Sequence, residues 1–224
     1  VSRVRLFVTG TDTDVGKTRV TGLLARAARR QGRTVVACKV VASGVPPGHP
    51  GDDATHLGEA AGHAPLVFGT WETPVSPHRA ALLEGRPAPT DLLASIRALH
   101  ADVVLVEGVG GWRVPISVSP PLWVEDLAHA TAGEVVVVAA NRLGVLNHTL
   151  LTLDAVRRSG LRVRAVVLSS PTRSTDASTP WNHADLELLG DAPVYVVGFL
   201  EDDAQVEAAV TDLGRVILPP TECP

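Results

Sequence analysis

The chain has 224 residues, 45% hydrophobic and 20% charged, enough to bury a sizeable core, and one large domain is expected over two small ones. Its 20 Lys and Arg are outnumbered by 24 Asp and Glu, for a net charge of −4 and a pI near 6.1, and no basic run stands out; neither a nucleic-acid footprint nor a polybasic membrane anchor is indicated. Cys38 and Cys223 lie too far apart to suggest a disulfide framework or a metal pair, and there is neither a charged-then-apolar leader nor a span-length apolar stretch, so a reducing cytoplasm is expected.

In chain order, strand alternates with helix. Residues 4–9 read as a buried strand that reaches Gly10, and Gly16-Lys17-Thr18 open a helix over 17–31 closed by Gly32. Strand, small polar turn and helix N-terminus form a phosphate-binding loop. Turning glycines aim backbone N–H groups at an anion, Lys17 reaches the β- and γ-phosphates, and the Thr18 hydroxyl takes a place on Mg²⁺. Five residues separate Gly10 from Gly16, one more than the usual spacing. Thr34–Cys38 is a second strand ending at Lys39, followed by a Gly- and Pro-rich loop over 43–51 and a helix over 52–62 with acidic residues at its positive end. Residues 64–77 read as irregular, Ser76-Pro77 as the start of a helix to Glu84, and 90–100 as another helix.

The run Asp102–Val106 is too continuously apolar to be half exposed and belongs in a central parallel strand. Glu107 and a glycine-rich turn over 108–111 follow, then an irregular stretch through Pro121. A helix over 123–130, a strand over 134–140 and a helix from Gly144 to Ser159 come next. The remaining segments are a strand over 162–168, a polar loop over 169–180, a helix over 183–189, a strand over 193–197, a helix over 203–213 and a disordered tail over 219–224. The sum is one α/β domain: a doubly wound, mostly parallel sheet in a three-layer sandwich.

In such sheets ligands gather at the carboxyl ends of the strands. There stand the phosphate loop, Lys39, Glu107, Asn141 and Ser169. Position alone leaves Lys39 open between a snorkelling lysine and a functional one, and leaves Asp53 as a helix cap. Glu107, a carboxylate at the end of a buried strand, stands where phosphate-loop proteins put an acidic residue against the metal.

Taken together the segments resemble the dethiobiotin synthetase family of the biotin pathway. The resemblance rests on Val8–Thr18, Lys39–Gly44, Asp53-Ala54, Thr73–His78, Glu84–Pro87, Val106–Trp112 and Leu143–His148, which stand in the family's order across most of residues 4–160. The five-residue loop spacing is the family's own form. The resemblance implies an ATP-dependent cyclo-ligase, with other triphosphates such as CTP possible. It would act on 7,8-diaminopelargonic acid and CO₂ through a carbamate and a carbamic-phosphoric anhydride, with Mg²⁺ as cofactor, as a homodimer.

It also implies roles residue by residue. Lys39 and Lys17 would be catalytic, and Thr18, Asp53 and Glu107 would hold the metal. The nucleotide would be met by Asp14, Val15, Gly16, Lys17, Thr18, Arg19, Asp53, Glu107, Gly108, Gly110 and Ser169, and by Gly198, Phe199 and Leu200. The organic substrate would be met by Thr13, Lys39, Ser43, Ser76, Pro77, Gly144, Leu146 and Asn147. Three positions depart from the family's pattern. Val40 replaces a common proline, Asp14 is one methylene shorter than the usual glutamate, and Ser169 stands where the family often has an adenine-recognising asparagine, so relaxed base selectivity is expected. Two other function classes share these features: an amidoligase or carboxylase on another substrate, and a ParA/MinD-like ATPase switch. The missing extra lysine at the loop's start and the missing basic surface argue against the switch.

Overall fold

The computed structural model describes residues 3–218. Seven strands form one all-parallel sheet: β1 (Val4–Gly10), β2 (Val35–Ser43), β3 (Val67–Trp71), β4 (Val103–Gly111), β7 (Glu134–Ala140), β8 (Val163–Ser169) and β9 (Val194–Val197), in the order β3-β2-β4-β1-β7-β8-β9. The chain leaves β1 toward β2, fills the gap with β4, and then crosses to β7 on the far side. β1 is therefore the switch point of the winding, and its carboxyl end opens the crevice where ligands bind.

Helices cover both faces. Strand residues alternate between them, so Leu6 and Val8 enter one core with Leu24, Leu57 and Leu213, whereas Phe7 enters the other with Leu92, Leu127 and Leu153. The first layer is α1 (Lys17–Arg30), α2 (Asp52–Ala61) and α8 (Asp203–Ile217). The second contains α3 (Pro77–Glu84), α4 (Leu92–Arg97), α5 (Val124–Thr131), α6 (Val145–Arg158) and α7 (Asn182–Gly190). Arg5 ties β1 to this second layer by donating to the carbonyls of Thr131, Leu99 and Ile96, at or just past the C-terminal ends of α5 and α4. Carbonyls in a last helical turn lack the usual i+4 partner, although Ile96 also accepts the Leu99 N–H.

Five expectations are corrected. β2 does not stop at Lys39 but runs to Ser43, because the lysine finds one carboxylate partner inside the sheet, Glu107, and a second on α2, Asp53. Gly108–Gly111 are not a turn: they continue β4, and the glycines serve close approach. A Cβ on Gly108 would lie 2.9 Å from the Phe7 ring, and one on Gly111 3.4 Å from the Gly10 carbonyl. The stretch over 64–77 contains the edge strand β3, whose Gly69 and flanking prolines obscure its period; Trp71 is buried and donates to the Arg86 carbonyl. The stretch before Pro121 contains a two-stranded hairpin, β5 (Pro115–Val118) with β6 (Pro121–Trp123). α8 also runs past Leu213 to Ile217. The expected tail over 219–224 and Cys223 lie outside the described residues. Among the described residues no helix is long and apolar enough to cross a membrane.

Candidate active site

The phosphate loop is shaped by two glycines. Gly16 caps α1 at φ 94°, a conformation an L side chain rarely adopts, and Gly10 leaves no room for a Cβ, which would lie 2.8 Å from the Asp12 carbonyl and 3.0 Å from Lys17 Nζ. Val15 sends its side chain into the core, so only its backbone is offered to a ligand. Lys17, 6% exposed, donates to the Asp12 carbonyl at 2.8 Å across the loop. Burial, reinforced by the neighbouring charge of Lys39, pulls its pKa down to about 8.

Beside the loop lies a charged group at the centre of the sheet. Lys39 pairs in register with Glu107, and Glu107 with Val8, so three adjacent strands bring these positions to one level. Lys39 Nζ lies 2.7 Å from Glu107 Oε1 and 2.6 Å from Asp53 Oδ2, the latter delivered by the first turn of α2. Thr18 Oγ1 donates to Glu107 Oε1 at 2.7 Å. Glu107 is fully buried and Lys39 is 5% exposed. Burial opposes the charge on Lys39, but the Glu107 and Asp53 carboxylates outweigh it and raise its pKa; Asp53 is likewise opposed by burial and is held below the ordinary carboxylate value by Lys39.

The second oxygen of Glu107, Oε2, is buried with no hydrogen-bond partner. Among the described residues no three His, Cys, Asp or Glu come together. Any cation here would therefore be held by two carboxylates and the Thr18 hydroxyl. That all-oxygen set with an unsatisfied carboxylate oxygen fits Mg²⁺, which keeps several waters and takes phosphate oxygens as further ligands.

A cleft of about 530 Å³ joins these parts. Thr13, Asp14, Gly16, Lys17, Thr18 and Arg19 line its phosphate-loop wall, and Lys39, Ser43, Asp53 and Gly110 line the opposite one. Ala42, Val109 and Pro171 also line it and carry no chemical signature by which sequence could have found them. Ser43 reaches the rim and donates to the Val75 carbonyl at 2.6 Å, which draws the start of α3 toward the cleft. Ser76 and Pro77 do not themselves line the cleft. Ser76 also makes no side-chain cap, since its hydroxyl lies 3.1 Å from His78 Nδ1.

Other expected residues are placed elsewhere. Gly108 is a packing glycine beneath Phe7. Ser169 turns its hydroxyl under the phosphate loop, fully buried and unpartnered, 2.5 Å from where a Cβ of Gly16 would stand. Phe199 and Leu200 do not line the cleft, and Gly198 meets it only through Arg19, which bonds its carbonyl. Gly144, Leu146 and Asn147 open α6 outside the lining.

A parallel sheet wound around a phosphate loop, with Lys39 set between two carboxylates beside it, defines a P-loop enzyme that acts with a nucleotide. The fold is shared with the signal recognition particle receptor FtsY from Elizabethkingia anophelis, at a TM-score of 0.53 and 16% identity over 96% of this chain and 65% of that one. Residues 4–210 match the family described as an AAA domain. The chain is 40% identical over 208 residues to the ATP-dependent dethiobiotin synthetase BioD of Anaeromyxobacter sp. (strain Fw109-5), covering 89% of this chain and 92% of that one. It is 43% identical over 169 residues to the synthetase of the same name from Rhodococcus jostii (strain RHA1), covering 74% and 73%. The chain belongs to the ATP-dependent dethiobiotin synthetase family.

Proposed function

We propose that this protein closes the ureido ring of dethiobiotin from 7,8-diaminopelargonic acid and CO₂ at the expense of ATP. The observation that carries the reading is Lys39, buried between Asp53 and Glu107 beside Lys17 and Thr18, in a chain of this family. One substrate amine takes up CO₂ as a carbamate and releases a proton. A carbamate oxygen then attacks the γ-phosphorus, ADP departs, and a carbamic-phosphoric anhydride results. The second amine attacks the carbonyl carbon, expels phosphate, and closes the ring.

The difficulty is bringing an anionic carbamate against an anionic triphosphate, so fixed positive charge must lie between them. Lys17 would hold the triphosphate and Lys39 the carbamate and transferred phosphoryl group. Thr18, Asp53 and Glu107 would hold Mg²⁺, which supplies further charge neutralisation on the phosphates. Ser43 and Thr13 would bond the organic substrate, and Asp14, one methylene short, would reach the nucleotide or substrate through water. The family also implies a homodimer. Gly144, Leu146 and Asn147 lie outside their own chain's cleft and would serve the substrate's distant end in the assembled dimer.

The experiment is an incubation with diaminopelargonate, bicarbonate, Mg²⁺ and ATP, CTP or GTP in turn, with phosphate release and the cyclic urea followed by mass. Turnover with all three triphosphates is expected from the enclosed Ser169, which offers the base no side-chain amide. Phosphate release without urea would defeat the reading, and a strong preference for ATP would defeat the relaxed selectivity.

A further inference from the structure

The cleft has two parts. Lys39 and Ser43 belong to the part lined by β2, where the carbamate would form, and Arg19 and Pro171 to the part beside the ends of β8 and β9. A triphosphate whose terminal phosphate lies between Lys17 and Lys39 directs its nucleoside toward Arg19. Side chains that could read a base are scarce there. The Ser169 hydroxyl is enclosed beneath Gly16, and Arg173 is engaged with Glu201 at 3.4 Å and over the Phe199 ring at 5.5 Å.

Arg19 itself is fixed in an unusual way. It follows Thr18 on the first turn of α1, and its side chain crosses to the ends of two strands. Nη1 donates to the Ser170 carbonyl at 3.2 Å, just past β8, and Nη2 donates to the Gly198 carbonyl at 3.0 Å, just past β9. Both bonds lie in the guanidinium plane. They pin its orientation and occupy two of its five N–H donors, and the side chain still lines the cleft, where a planar cation can present a face to a base. A planar cation held this way attracts the π-face of any base and discriminates poorly among them.

We propose that Arg19 is the platform on which the base of the nucleotide stacks, so that adenine, cytosine and guanine are held by their faces rather than by edge recognition. The proposal rests on the nucleotide-dependent reading of this cleft. It is tested by binding, which needs no turnover, so its failure is distinct from a failure to form the cyclic urea.

The probes are ADP, CDP and GDP with Mg²⁺, and inorganic tripolyphosphate, which has no base, each titrated calorimetrically into the full chain. Arg19→Ala should weaken all three nucleotides by about tenfold and leave tripolyphosphate within twofold of the parent. Arg19→Lys keeps the charge without the plane and should show the same loss; it also carries the test if the alanine variant does not fold. Unchanged nucleotide affinity would overturn the proposal. So would an equal loss for tripolyphosphate, which would place Arg19 on the phosphates. Recovery of affinity in Arg19→Lys would make charge the source of binding, and a loss confined to one base would make Arg19 an edge reader; either would also overturn it.

Discussion

At the scale of single residues, the site depends on how a buried ammonium is balanced. Lys39 is stable in the sheet because two carboxylates within hydrogen-bond reach outweigh the cost of burying it. Lys39→Ala is expected to abolish urea formation while nucleotide binding by the phosphate loop persists, measured by product mass and by ADP titration on the same preparation. A variant that still forms the urea would remove Lys39 from the mechanism. A second residue acts purely on the fold. His63 donates from Nδ1 to the Ala64 carbonyl and accepts the Ala37 N–H at Nε2, at 2.6 and 3.1 Å, serving β2 before its pairing with β3 begins at Lys39. His63→Ala should cost about 1–3 kcal/mol in urea unfolding, and His63→Gln, which can both donate and accept, should recover part of it.

At the scale of elements, charge placed at chain turns decides how strands and helices join. Glu84 ends α3, where a carboxylate is poorly matched to the helix dipole, yet it accepts the Thr73 backbone N–H at 2.8 Å and pairs with Arg86. The Thr73 bond first, and Arg86 after it, bring its pKa down from 4.5 to about 2. A depressed carboxylate pKa stabilises the fold above the unfolded value and loses that contribution as pH falls through the folded one. Stability should therefore fall between about pH 4.5 and 2 more steeply in the parent than in Glu84→Gln, as read by thermal melts across that window. Arg5 performs a related task for α4 and α5, and Arg5→Met, which strands the Thr131 and Leu99 carbonyls while Ile96 keeps the Leu99 N–H, should cost about 2–3 kcal/mol in urea unfolding.

At the scale of the whole molecule, seven parallel strands enclose Cys38 so completely that it cannot act as a thiol. Burial, and then the nearby Glu107 charge, push its pKa up to about 12. In a Cys223→Ser background the native protein should give no reaction with a thiol reagent at pH 8, and one equivalent after denaturation. The same scale includes the assembly. Leu143 and Leu151, 79% and 62% exposed on and beside α6, are apolar surface next to the residues the family places at the far end of the substrate. Sedimentation should give twice the 23.5 kDa chain mass, and a monomer at working concentration would remove the dimer from the proposal.

Much of this architecture was legible in the sequence because strands buried on both faces are written as unbroken apolar runs. Val103–Val106 and Val135–Ala139 needed no tertiary information to be read as central strands. Gly10, Gly16, Lys17 and Thr18 were legible because a phosphate loop is a local device: a few consecutive residues, their dihedrals and a helix end specify it. The edge strand β3 and the hairpin β5–β6 were not, since prolines and glycines break their alternation and only their neighbours supply the pairing. What the tertiary structure alone decided is which side chains meet. Lys39 and Glu107 are 68 positions apart; Lys39 by itself is equally consistent with a snorkelling lysine, and Glu107, though it stands where a metal-site carboxylate belongs, names no partner. The register of β1, β4 and β2 sets them side by side, and burial then makes their pairing obligatory. By the same logic, Ser169 at a strand end looked available to a base, but the packing of β8 beneath Gly16 enclosed it and left that end of the cleft to Arg19.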